Sequence, residues 1–219
     1  MDGTEPGSPP TSQSLLRIGR WAGVGSVVVV FASIVSAIAL SPSFALEANA
    51  LSDLGSRTHP AGTLATALAF NGGLIVGGAL GLGFAAVLAR TADRSLVRLG
   101  AALFGVTSTL LAAIGAFPQG HPLHFPVASG FYALFSVSVL VFGAGKLTPG
   151  RWDSALVSVG AGIGNLAVWI VWIGLGALDR PGLAIPEIVG ALFVVLWVLD
   201  HARRLSSAGR QTQADHDDH

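Results

Sequence analysis

Six apolar runs, each long enough to cross a bilayer, constrain this chain more than any other feature. About 20 predominantly apolar residues in helical form span the hydrocarbon layer. Inside that layer backbone N–H and C=O groups find no water, so repeated runs of this length fold as packed helices. The runs fall at about 21–40, 63–89, 99–117, 127–145, 154–178 and 184–200. Composition agrees, with 52% of the 219 residues hydrophobic and 11% charged, against about 25% charged in soluble domains. The expected fold is all-α, a polytopic membrane protein built as a bundle of six transmembrane helices over residues 15–202. No charged, periodic segment is left to build a separate soluble domain.

Residues 1–14 are rich in Pro, Gly and Ser and lack a packing face, which predicts a disordered tail. This tail is acidic and the apolar run after it is long and late, unlike a secretory signal peptide. Residues 203–219 read as a second polar tail, disordered beyond its first turn. With six spans both termini share one side. Arg17, Arg20, Arg90, Arg94, Arg98, Lys146, Arg151, Arg203, Arg204 and Arg210 lie on that side, against Arg57 and Arg180 on the other. Positively charged loops stay in the cytoplasm, so both termini are expected there and the plasma membrane is the expected location. The formal net charge of zero gives no case for nucleic-acid binding. A single lysine beside abundant Ala, Val and Gly fits a high-GC, archaeal genome.

The second span carries Gly73, Gly77, Gly81, Ala85 and Ala89 at four-residue spacing. Small side chains then line one helix face and let another backbone approach closely, within the chain or in a homo-oligomer through the Gly73, Gly77, Gly81 face. Asn71 and Asn165 are the strongly polar side chains set inside spans, and each is expected to bond to a neighbouring helix. Asp, Glu, Lys, Arg and His are absent from the span cores as drawn, which argues against an ion-coupled pump or transporter.

Chemistry is therefore expected on the outer face, in the loop at 41–62, the stretch Phe117-Pro118-Gln119-Gly120-His121-Pro122-Leu123-His124-Phe125-Pro126, and the turn Asp179-Arg180-Pro181-Gly182. A short interfacial helix is expected around Leu46–Leu54, and Pro149-Gly150 marks a turn on the other side. Pro186 and Glu187 sit in the first turn of the last span, where a missing N–H and a negative charge are both tolerated. The candidate ligand-binding cluster is Asp53, His59, Asn71, His121, His124 and Glu187. Cysteine is absent, so any metal site must use His, Asp or Glu. His121 and His124 are the candidate ligands for a divalent metal such as zinc, with Asp53, His59 or Glu187 to complete the set. Pro122 between them breaks helical spacing, and both suit a loop bonded to backbone or lipid equally well. Ser52 beside Asp53 admits a serine nucleophile, without a Gly-x-Ser-x-Gly elbow. Asp53 as a cap and Gly55 as a left-handed turn residue would explain the same stretch structurally. The terminal Asp215-His216-Asp217-Asp218-His219 reads as a solvated acidic tail that could hold a metal only weakly.

Leu51-Ser52-Asp53-Leu54-Gly55 after the first span, Phe70-Asn71 leading a Gly-rich second span, and Phe117-Pro118 followed by His121 and His124 occur in that order. Over residues 15–202 the chain resembles the family of prokaryotic integral membrane proteins known as domain of unknown function 998, and is distantly similar to DRAM-like six-helix proteins. The resemblance implies a six-helix bundle with a polar outer cluster and a link to lipid handling, with no settled activity. The expected function is non-enzymatic: binding membrane lipids, organising the membrane, or serving as an accessory subunit, with no cofactor. The alternative is a membrane-embedded hydrolase or lipid-modifying enzyme using His121 and His124 with Asp53, with or without a metal.

Overall fold

Helix boundaries follow local chemistry. Thr63 caps one helix by accepting the Thr66 N–H at 3.1 Å, while Thr66 Oγ1 accepts the Thr63 N–H at 2.8 Å. Two donors that a helix start would leave unpaired are thereby satisfied. The computed structural model describes residues 12–147, 152–176 and 181–217. Six α-helices run over Ser12–Ala39 (α1), Leu64–Arg90 (α2), Ser95–Ala116 (α3), His124–Lys146 (α4), Trp152–Gly174 (α5) and Ala184–Asp217 (α6), with a 3-10 turn at Leu51–Gly55. All six are long and apolar enough to cross a membrane. Among the described residues there is no strand.

Each helix packs on the next in chain order, and α6 closes back on α1. The bundle is therefore a ring, and what fills its centre differs along its length. One half is plugged by Trp197 of α6, which is fully buried. Its ring meets Phe84 of α2 at 6.2 Å, Phe104 of α3 at 4.7 Å and Phe142 of α4 at 5.4 Å between centroids. Its Nε1 donates to Ser158 Oγ of α5 at 3.0 Å. One side chain thus ties four other helices, and edge-on aromatic contacts of this kind add to simple burial. The other half has a separate core of Ile34, Leu51, Leu54, Phe70, Leu74, Ile114 and Phe131 around a hollow.

The outside of the ring is apolar as well. Leu68 is 67% exposed, Leu156 65% and Ile170 60%. A belt like this would aggregate in water and is the ordinary exterior of a helix bundle in lipid.

The glycine ladder of α2 is used within the chain. Gly73 lies against Ser33 and Gly77 against Val30, both of α1, and a Cβ at Gly78 would fall 2.6 Å from the backbone of Ser108 and Ala112 on α3. Ser26 Oγ of α1 donates to the Gly77 carbonyl at 2.7 Å. The Gly73, Gly77, Gly81 face, expected also as a seat for a second copy, is occupied by α1 and α3 of the same chain.

Some boundaries differ from the sequence reading. Helix α1 begins at Ser12, inside the expected tail, and α6 continues to Asp217 rather than fraying after Asp200. The expected helix at Leu46–Leu54 is a 3-10 turn at Leu51–Gly55 preceded by irregular turns. Gly55 does not adopt a positive φ, unlike Gly120, Gly176 and Gly182. It is needed for close approach instead: a Cβ there would meet the Asn71 side chain and, at 3.0 Å, the ring of Phe70. Residues 1–11, the Pro149-Gly150 turn, Asp179, Arg180 and the side chains of the acidic terminus lie outside the described residues.

Candidate functional site

The loop between α1 and α2 folds down into the mouth of the ring. Leu51 and Leu54 are 5% and 0% exposed, and Ser52, Asp53 and Gly55 are buried with them. Two apolar side chains pull the turn inward, and its backbone then needs partners. Asp53 Oδ2 accepts the Ala50 N–H at 2.9 Å and the Asn49 side-chain amide at 3.2 Å. Asp53 thus reaches back from the third position of its own turn to the N–H of Ala50, the capping residue, rather than capping a following turn. The Leu51 N–H is taken by Glu187 Oε2 of α6 at 2.6 Å. Asn71 Nδ2 of α2 donates to the Gly55 carbonyl at 2.9 Å. The Ala184 N–H donates to the Asn49 carbonyl at 2.9 Å, and Ser52 Oγ reaches Gln119 Oε1 at 3.4 Å. The turn is a cap held by α2, α6 and the α3–α4 loop.

Four of the six expected site residues converge on this cap: Asp53, Asn71, Glu187, and His59, whose Nε2 stands 3.6 Å from Asp53 Oδ2. His59 Nδ1 accepts the Ala61 N–H at 3.2 Å, so Nε2 carries the ring proton that faces the carboxylate. The two remaining histidines part company. His121 is exposed, its ring stacks on Phe117 at 4.9 Å, and its Nδ1 accepts the Leu123 N–H. His124 is 8% exposed and bonds through Nδ1 to the Phe117 carbonyl at 2.8 Å. His124 ties the end of α3 to the start of α4. The pair does not form a ligand set with Asp53. Among the described residues no group of three or more His, Asp or Glu side chains stands close enough to hold a metal ion. Ser52, the candidate nucleophile, bonds to Gln119 rather than to a histidine.

Beneath the cap lies a cavity of about 90 Å³. Ser52, His124 and Glu187 stand at its capped end. Phe31, Ile34, Phe70, Leu111, Phe131 and Val194 form much of its wall, and Phe104 and Val198 close it against the aromatic plug. Half-buried Val27 and Phe31 of α1 and Ala191 and Val195 of α6 place one side along the seam between the first and last helices.

Several members of this region were not singled out from sequence. Tyr132, the chain's only tyrosine, donates to the Glu187 carbonyl at 3.0 Å and meets Trp169 in a tilted ring contact at 4.6 Å. Asn165 Nδ2 donates to the Tyr132 carbonyl at 2.9 Å and Ser136 Oγ at 2.8 Å, the interhelical bond expected for it. At the far end His201, placed by the sequence reading in the tail, is 3% exposed. It contacts the Trp197 carbonyl at 2.9 Å and Ser154 Oγ at 3.3 Å. His201 thus brings an ionisable side chain into the bundle interior at the end opposite Glu187, which the sequence reading places in the first turn of the last span. Both face the bundle interior, where such groups find partners.

The fold and this lidded interior define a multi-pass membrane protein of six helices with a polar site at one end. The sequence model of the family described as protein of unknown function (DUF998) matches residues 24–204, and the chain belongs to that family. The searches of the curated proteins and of the solved structures found no match.

Proposed function

We propose that this protein binds a membrane lipid without transforming it, the head beneath the Leu51–Gly55 cap, the first carbons of the tail in the cavity and the rest of the tail along the α1–α6 seam. The cavity carries the reading: its walls are largely apolar, His124 and Glu187 stand at its capped end, and the hydroxyls of its deeper part, Ser26, Thr107 and Ser108, are bonded to backbone carbonyls. An apolar cavity lined by Leu, Ile and Phe stays dry and takes apolar molecules. Its position along the α1–α6 seam gives a tail a route from the bilayer. The role of the polar residues fits binding better than catalysis, because Asp53, Asn71 and His124 each satisfy backbone groups of the cap and loops. The arginine distribution turns the capped end outward, with both termini in the cytoplasm of a plasma-membrane protein.

Native mass spectrometry of the protein released from its own membrane in mild detergent tests this. One lipid per chain is expected on the wild type and its loss on Ala128→Phe, which places a ring in the cavity. A wild-type chain with no lipid, or a metal ion lost in the double His121→Ala, His124→Ala variant, would overturn the reading. A reporter fused after residue 210 is expected to read as cytoplasmic.

A further inference from the structure

Resting on that reading, we infer that the lipid is headed by a neutral hydroxyl group, a long-chain alcohol rather than an acid or an amine. The inference comes from an account of every donor and acceptor on the cavity wall. Ser26, Thr107 and Ser108 line its deeper part, and each hydroxyl donates to a backbone carbonyl, of Gly77 at 2.7 Å, Leu103 at 3.0 Å and Phe104 at 2.9 Å. Tyr132 donates to the Glu187 carbonyl, and Ser52 to Gln119. Every hydroxyl donor of the wall is therefore engaged with protein.

The spare capacity is of the opposite kind. His124 bonds a carbonyl through Nδ1, so Nδ1 carries the proton and Nε2 is an acceptor, for which the described residues supply no partner. Glu187 uses Oε2 for the Leu51 N–H, and its Oε1 has no partner among the described residues. Both side chains are more than nine-tenths buried and both line the same end of the cavity. Among the described residues, no lysine or arginine lines the wall.

A carboxylate or phosphate head would bring a charge and further acceptors into an apolar cavity whose described wall residues include no lysine or arginine. A hydroxyl head supplies a donor for His124 Nε2 and can meet Glu187 Oε1 as donor or acceptor. An ammonium head could donate to Glu187 and His124. It would also have to be stripped of water in an apolar cavity, where desolvation cancels much of the attraction of a buried pair. A hydroxyl carries no such cost, and its donor gives an acceptor of the wall a partner.

The test offers the purified full-length protein equimolar hexadecanol, hexadecanoic acid and hexadecylamine, and reads the bound species by native mass spectrometry. The alcohol is expected to be retained about tenfold over each of the others. Glu187→Gln keeps an acceptor for the Leu51 N–H and adds an amide donor. It is expected to reduce the preference over the acid several-fold, while His121→Ala, at an exposed position, leaves it unchanged. Equal or better retention of the acid or the amine by the wild type overturns the inference without needing any variant. Retention of a native lipid with no uptake of the alcohol also overturns it, and leaves lipid binding standing. Loss of all three probes, with no native lipid retained, removes both readings together.

Discussion

The two halves of the ring are built from the same helices and solve the problem of its centre in opposite ways. At the Trp197 end one large side chain fills the axis and three aromatic rings of neighbouring helices close on it. At the capped end the axis is left hollow, and the chain covers it with a five-residue turn instead of a side chain. A packed interior gains dispersion contacts that a void forfeits. The hollow end is thus the less stable design, and its survival in a bundle able to place a Trp at its centre points to use rather than poor packing.

The sharpest way to break this contrast is to truncate one aromatic in each half. Trp197→Ala is expected to cost about 3–5 kcal/mol. Phe131→Ala, which borders the existing cavity, is expected to cost markedly less. Paired unfolding in one detergent would show this, and equal losses would mean the halves are packed alike. Enlarging a small residue should reverse the ranking. Ala101→Leu, in the filled half at 0% exposure, is expected to cost about 1–3 kcal/mol. Ala128→Leu, on the cavity wall, is expected to leave melting unchanged or raise it.

Next in size is the cap. Glu187→Ala leaves the Leu51 N–H without its partner and is expected to cost about 1–3 kcal/mol, with faster hydrogen exchange at that amide. Glu187→Gln should preserve most of the protection. If exchange at Leu51 does not respond to either change, the cap is held by Leu51 and Leu54 alone. Asn165→Leu is expected to cost less, because interhelical bonds of this kind contribute about 0.6–2 kcal/mol and the variant also removes a buried Oδ1 that has no partner. His121→Ala, exposed and bonded only within its own loop, should shift stability by less than about 0.5 kcal/mol.

The spans were legible because hydrophobic length is a local property. Every expected span lies on an observed helix, with ends shifted where caps or turns decide them, as at Thr63 and Ser95. The site was legible in part. Asp53, His59, Asn71 and Glu187 share a face by topology alone, and the ring brings them to the same turn. The divergence of His121 and His124 was not readable, because it depends on where the α3–α4 loop meets Phe117. The cavity left no signal at all. Phe31, Phe131 and Phe104 look alike in sequence, and only the assembled ring separates those that fill its axis from those that line a void. His201 was misplaced for a related reason: a polar residue after an apolar run marks the end of hydrophobicity, not the end of the helix.

Closure of the ring by α1 and α6 has a consequence for how the molecule is made. Of these six helices α1 is made before the others and α6 after them, and the two form the sides of one seam, so the hollow has no complete wall until α6 is inserted. Through the synthesis of the first five helices the interior faces the surrounding bilayer, and a molecule seated there at that stage is enclosed when α6 arrives. Whatever occupies the mature protein can therefore be acquired during biogenesis, and pulse-labelled chains examined before and after completion of α6 would show when that happens.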